Sequence, residues 1–208
     1  MNKKIAISAT LVLATAGLIG CATTMSQAEV EKAAGDVMRA GFQTRGIASV
    51  DRLNQDETQS TCTTYTATTV PPALAAKLQA SQMAAVQKPA SGKLIGDWKA
   101  GEKVAQDGRG MQFSDAVGSP SGGNCYACHQ LAPQEISYGN IGPSLYQYGK
   151  LRGQSKEIVE YTYNKIYNAQ AYQTCSSMPR FGHAKILTPE QIADVVGLLL
   201  DPASPVNK

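Results

Sequence analysis

The chain has 208 residues, 43% of them hydrophobic and 17% charged, which suits one modest domain with an extension and excludes wholesale disorder. The formal net charge is +3, and with Lys3 and Lys4 in a segment of export character it falls to 3 − 2 = +1. No basic run interleaves with aromatic residues, so the sequence carries no nucleic-acid footprint.

The N-terminus pairs a positive "MNKK" with the short apolar run "IAISATLVLATAGLIG", the pattern of an export signal and too short for a spanning helix. Two processing routes fit. Leu18 to Cys21, "LIGC", resembles the lipobox of bacterial lipoproteins, which makes 1–20 the signal and Cys21 a candidate for lipidation. Ordinary cleavage after "SQA", at Ala28, makes 1–28 the signal and leaves a soluble product. Both place the mature chain in the periplasm, lipid-anchored at a membrane in the first case, where disulfides are permitted.

Residues 29–92 read as an N-terminal extension. "VDRLNQDETQSTCTTYTATTVPP" is polar and irregular, and "ALAAKLQASQMAAVQK" predicts an exposed helix with a thin apolar face. So few large apolar residues predict a segment unable to fold alone. Residues 93–208 read as an all-helical domain. In "GKLIGDWKAGEKVAQDGRG", Ile95, Trp98 and Ala105 recur at roughly helical intervals, and Gly108 and Gly110 end the segment.

"GGNCYACHQ" follows, and its Cys125, Cys128 and His129 form the C-x-x-C-H spacing at which c-type haem is attached. Two thiols at this spacing can each add across one haem vinyl group, and the adjacent histidine is then held beside the iron as a ligand. A thioredoxin-like redox pair would need a βαβ pattern, and a zinc site would need a second cluster of ligands. Neither is present in the sequence. The reading is therefore one covalent haem c.

"SYGNIGPSLYQYG" is rich in Gly, Tyr and Pro and reads as a loop, its Tyr138, Tyr146 and Tyr148 as packing or pocket residues. Ser155 begins a helix in which Ile158, Thr162 and Ile166 share one face. "TCSSMPRFGH" then offers candidates for the second axial position. Met178 precedes Pro179, which restricts it to extended backbone, and a thioether opposite histidine raises the potential. His183 would lower it, and a thiolate or an open position completes the alternatives. The last helix, "TPEQIADVVGLLL", opens on Thr188 as N-cap with Pro189 and Gln191 behind it, and Ile192, Val195, Val196 and Leu199 form its stripe.

Of five cysteines, two go to haem and Cys21 to lipid or to signal removal. Cys62 and Cys175 remain, and in an oxidising compartment they most simply form one disulfide, clipping the extension over the loop of Met178. A reactive Cys175 beside the haem is the alternative.

These segments, in this order, resemble SoxX, the smaller cytochrome subunit of the SoxAX complexes of bacterial sulfur oxidation, over most of residues 50–208. The resemblance implies a class I cytochrome c fold with an N-terminal extension, and His129 and Met178 as iron ligands. Its glycine-proline loop is similar to that of small c-type cytochromes, which makes Pro143 the group that orients the proximal histidine. The resemblance further implies a heterodimer with SoxA and L-cysteine S-thiosulfotransferase activity, in which thiosulfate is oxidatively joined to a cysteine of the carrier SoxYZ. The sulfur chemistry falls to the partner subunit, so no residue of this chain is catalytic. Its part is to accept electrons and pass them to another cytochrome c. A free-standing periplasmic electron-transfer cytochrome of another pathway is the competing expectation.

Overall fold

The computed structural model describes residues 25–208, so Cys21 and most of the export segment lie outside the described residues. The chain divides into two units, residues 1–43 and 44–208. In the first, helix α1 spans Gln27–Gly41. Ser26 caps it in a reciprocal box with Glu29, each side chain bonding the other's backbone N–H. Val30, Val37 and Met38 on this helix are exposed.

The regular structure of the second unit is helical, with no strand beyond an isolated bridge between Arg45 and Ala48 among the described residues. Its helices are α2 (Glu57–Thr64), α3 (Pro72–Ala84), α4 (Trp98–Gln106), α5 (Tyr148–Arg152), α6 (Lys156–Tyr167) and α7 (Pro189–Leu200). Short 3₁₀ turns cover Val50–Leu53, Cys125–Ala127, Ala169–Ala171 and Pro205–Asn207. This frame agrees with the class I cytochrome c fold.

Helix α7 organises the unit. Eight of its twelve residues are buried, including Ile192, Val196 and Leu198 at 0% exposure, so it is covered nearly all round rather than along one stripe. Burying each such side chain contributes roughly 1.5–3 kcal/mol, and the sum makes α7 the spine of the core. Thr188 and Gln191 form a capping box at its start, with Pro189 in the first turn, as the sequence predicts.

Helix α4 crosses α7 closely. A Cβ on Gly101 would stand 2.0 Å from the carbonyl oxygen of Asp194, so only glycine lets the two backbones meet there. Hydrogen bonds bracket the crossing: Gly96 N–H donates to Ala193 O, and Asp97 N–H donates to the Asp194 carboxylate, both at 2.8 Å. The helix opens only at Trp98, capped by Asp97, which leaves Ile95 ahead of it and 41% exposed rather than on its inner face. On the other side, α6 opens on Ser155 and buries Thr162, Tyr163, Ile166 and Tyr167. Asn207, 2% exposed, bonds the N–H groups of Gly149 and Lys150 and the carbonyls of Leu199 and Asp201, joining the start of α5 to the end of α7.

The stretch between residues 50 and 71 departs from the irregular coil that its Thr-rich composition predicts. Asp56 and Gln59 form a capping box that starts α2. Helix α3 buries the thin face expected of it, with Leu78 at 1% and Gln82 at 8% exposure, and packs on the 3₁₀ turn Ala169–Ala171. A disulfide joins Cys62 of α2 to Cys175 across 113 residues of sequence. Among the described residues, no helix is long and apolar enough to cross a membrane.

Candidate haem c site

Asn124, at φ 44° and ψ 45°, turns the chain left-handed into the 3₁₀ turn Cys125–Ala127, a conformation asparagine tolerates better than most side chains. The N–H groups of Cys128 and His129 both donate to Cys125 O, at 3.1 and 2.9 Å, which sets the three chemically active residues on one tight turn. Cys125 and Cys128 are free thiols, each half-buried. Burial pushes the Cys125 thiol up to about 12, against a smaller downward pull from its own backbone and with a slight further rise from Cys128. Such surroundings repel a thiolate and suit an uncharged thioether.

The loop after the motif seats the histidine. Gly142 N–H donates to Cys128 O at 2.8 Å. A Cβ on Gly142 would stand 2.2 Å from His129 Cε1, so the imidazole lies against bare backbone. His129 Nδ1 donates to Pro143 O at 2.7 Å, which fixes the ring's orientation and tautomer. That leaves Nε2 free of any hydrogen-bond partner among the described residues, with its lone pair available.

Cys125, His129 and Met178 line one partly open cavity. Leu131 and Leu145 close it beside the motif, Ile166 of α6 and Val195 and Leu199 of α7 form its back, and Phe181 and Leu187 complete it. The helical stripes read from the sequence therefore reach this cavity through Ile166, Val195 and Leu199. The donor set is one imidazole, one thioether and one thiol in an otherwise apolar wall. That is the environment of a flat, largely apolar macrocycle whose metal takes nitrogen and sulfur ligands, so the residues fit haem c.

Cys128 stands on the turn without lining the cavity. His183 turns elsewhere: its Nε2 lies 3.7 Å from Asp56 Oδ2, and it is not part of the lining. Tyr146 and Tyr148 pack as expected, the first donating to Lys208 O at 3.1 Å and the second sharing a hydrogen bond with Thr162 Oγ1 at 2.9 Å; Tyr138 is exposed. Phe181 and Arg180 were not singled out by the sequence reasoning. Both lie within the same ten-residue segment as Met178, and an aromatic residue three positions after Met178 was the available signal for Phe181 alone.

Residues 109–201 match the family model described as Cytochrome c. A protein of Aquifex aeolicus (strain VF5), described as an uncharacterized lipoprotein, is 44% identical over 128 residues, which are 60% of this chain and 59% of its own length. The chain thus spans about three-fifths of that relative. The helical frame, the histidine seat and the matched stretch together support a c-type cytochrome domain, of the kind that carries haem c and transfers electrons.

Proposed function

We propose that the chain is a SoxX-type subunit, an electron acceptor in an L-cysteine S-thiosulfotransferase of the SoxAX kind. The observation that carries the electron-transfer core of this reading is the meeting of Cys125, His129 and Met178, from distant parts of the sequence, on one apolar cavity. Cys125 and Cys128 would hold one haem c through thioethers, and His129 Nε2 and Met178 Sδ would supply the ligands to its iron. Bound there, haem c supplies a one-electron couple, so the two electrons released when thiosulfate is joined to a cysteine thiol leave one at a time. Pro143 O holds the Nδ1 proton of His129 and keeps the imidazole in the tautomer that presents Nε2. The apolar wall excludes water and favours the lower charge of the reduced state. With Cys125 taken up as a thioether, the cavity would offer no nucleophile, and in the SoxAX reading the sulfur chemistry belongs to a SoxA partner and the acceptor cysteine to SoxYZ, with a further cytochrome c downstream.

We further propose attachment to a membrane through lipidated Cys21. Ser26 caps α1 and pairs with Glu29, an arrangement that processing at Cys21 preserves and cleavage after Ala28 would remove. The relative described as a lipoprotein supports the same route.

The test is purification of the native complex, haem counting per chain, and thiosulfate-dependent reduction of an added cytochrome c in the presence of SoxA and SoxYZ. Co-purification with a second haem subunit and reduction that depends on this chain are expected. A lone monomer that restores no thiosulfate-dependent reduction leaves a free-standing carrier and removes the SoxX assignment.

A further inference from the structure

The segment that carries Met178 belongs to no helix, so its own backbone does little to fix the thioether. Arg180, two residues on, is held far more firmly. Its side chain is 11% exposed, and a guanidinium stays out of water only where its donors are matched by acceptors. Nη2 lies 2.7 Å from Asp56 Oδ2, and Nη1 donates to Gln82 Oε1 at 3.0 Å. Both partners come from the segment ahead of the matched cytochrome stretch.

Each partner is itself fixed. The second oxygen of Asp56 accepts from Gln59 N–H at 2.8 Å as the cap of α2, so the carboxylate cannot follow a moving arginine. Gln82 Nε2 donates to Thr58 Oγ1 at 3.1 Å, and Gln82 Oε1 also accepts from Asn168 Nδ2 at 2.9 Å. Thr58, Gln82 and Asn168 are all buried. One forked cation therefore ties the methionine loop to α2, to α3 and, through Gln82, to the end of α6. Lysine has one point charge and cannot reach two acceptors in this geometry with the same rigidity.

We infer that Arg180 is a positioning residue for the sulfur ligand, and that Asp56 and Gln82 form the fixed half of a brace that holds Met178 against the cavity. The inference rests on the reading that Met178 Sδ faces the iron. Removing the Asp56 charge leaves the 11%-exposed Arg180 uncompensated, so the loop must shift to rehydrate it, and removing Arg180 frees the loop from both of its anchors. Met178, two peptide units away, shifts with it.

The experiment uses the holoprotein with its disulfide intact and imidazole as a competing ligand for the ferric iron, followed by the Soret band, together with the reduction potential. Met178→Ala sets the reference for an unprotected iron. Arg180→Ala should raise imidazole affinity about tenfold and lower the potential. Arg180→Lys should fall between it and wild type. Asp56→Asn keeps a good helix cap while removing the charge, and should move imidazole affinity in the same direction should Arg180→Ala fail to fold. Ser155→Ala, which removes the cap of α6 at the end of that helix far from Ile166, is the control for general loosening and should bind imidazole as wild type does. Wild-type affinity in both Arg180→Ala and Asp56→Asn, alongside a clear rise in Met178→Ala, would overturn the brace and leave the ligand reading standing. No rise in Met178→Ala would remove the ligand reading and the brace with it.

Discussion

Replacing Cys62 and Cys175 together by serine removes a bridge that closes 113 residues. The chain-entropy relation assigns a loop of that length about 4.8 kcal/mol at room temperature. That figure is a ceiling, because covalent haem at Cys125 and Cys128 lies inside the loop and already restricts the unfolded chain. The expected loss is about 2–4 kcal/mol, or a fall in Tm of about 4–16 °C for a chain of this size. Thermal and urea unfolding of the oxidised holoprotein, followed by helix circular dichroism, measure it. Cys175 adds a discriminating variant. Its φ of 62° is a left-handed conformation that strains any residue with a side chain, so Cys175→Gly should lose the bridge yet remain more stable than Cys175→Ser by about 1 kcal/mol. A loss under about 1 kcal/mol in the double variant would refute the entropic account. Equal stability of the two single variants would refute the strain at Cys175.

Gly142→Ala places a methyl group 2.2 Å from His129 Cε1 and should cost about 1–3 kcal/mol. It should also lengthen the bond to Pro143, read as a higher reduction potential, because the imidazole becomes a poorer donor, and as a lower yield of haem-loaded protein. Gly101→Ala pushes a methyl group into the Asp194 carbonyl at 2.0 Å and should destabilise by a similar amount, about 1–3 kcal/mol, seen as a lower urea midpoint. Burial, then the nearby Arg180 charge, hold His183 below its ordinary pKa, outweighing the pull of Asp56. The unfolded chain therefore binds a proton that native His183 refuses, so stability should fall as pH drops below about 6.5. His183→Gln should flatten that slope, and an unchanged slope would assign it to other groups.

Where the sequence pattern is strong and local, structure followed it closely. Thr188, Pro189 and Gln191 start α7 as written, because a capping box and an N-terminal proline act within one turn. Cys125, Cys128 and His129 were legible for the same reason, since their relation is fixed by a single 3₁₀ turn. Ile95 misled because helical spacing alone does not mark a start, and Asp97 caps the helix two residues later. Asp56 to Gln59 carried a readable box that the surrounding Thr-rich, weakly helical composition obscured. The role of Arg180 was not legible at all. Its partners lie 98 or more residues away, and no periodicity reports a contact made once across the fold.

The bridge between Cys62 and Cys175 also changes what a single cut can do to this molecule. The backbone between the two cysteines and the bridge itself form a covalent ring, and the attachment turn at Cys125 is one arc of it. Phe113 and Val117, both exposed, mark a stretch of the same arc open to proteases. A nick there would open the ring without dividing the molecule, for the two pieces stay joined at Cys62 and Cys175 and clasped where α4 crosses α7. Such a chain would separate into fragments only on reduction and unfolding together. In a compartment exposed to proteases, it would survive damage that halves an unbridged cytochrome.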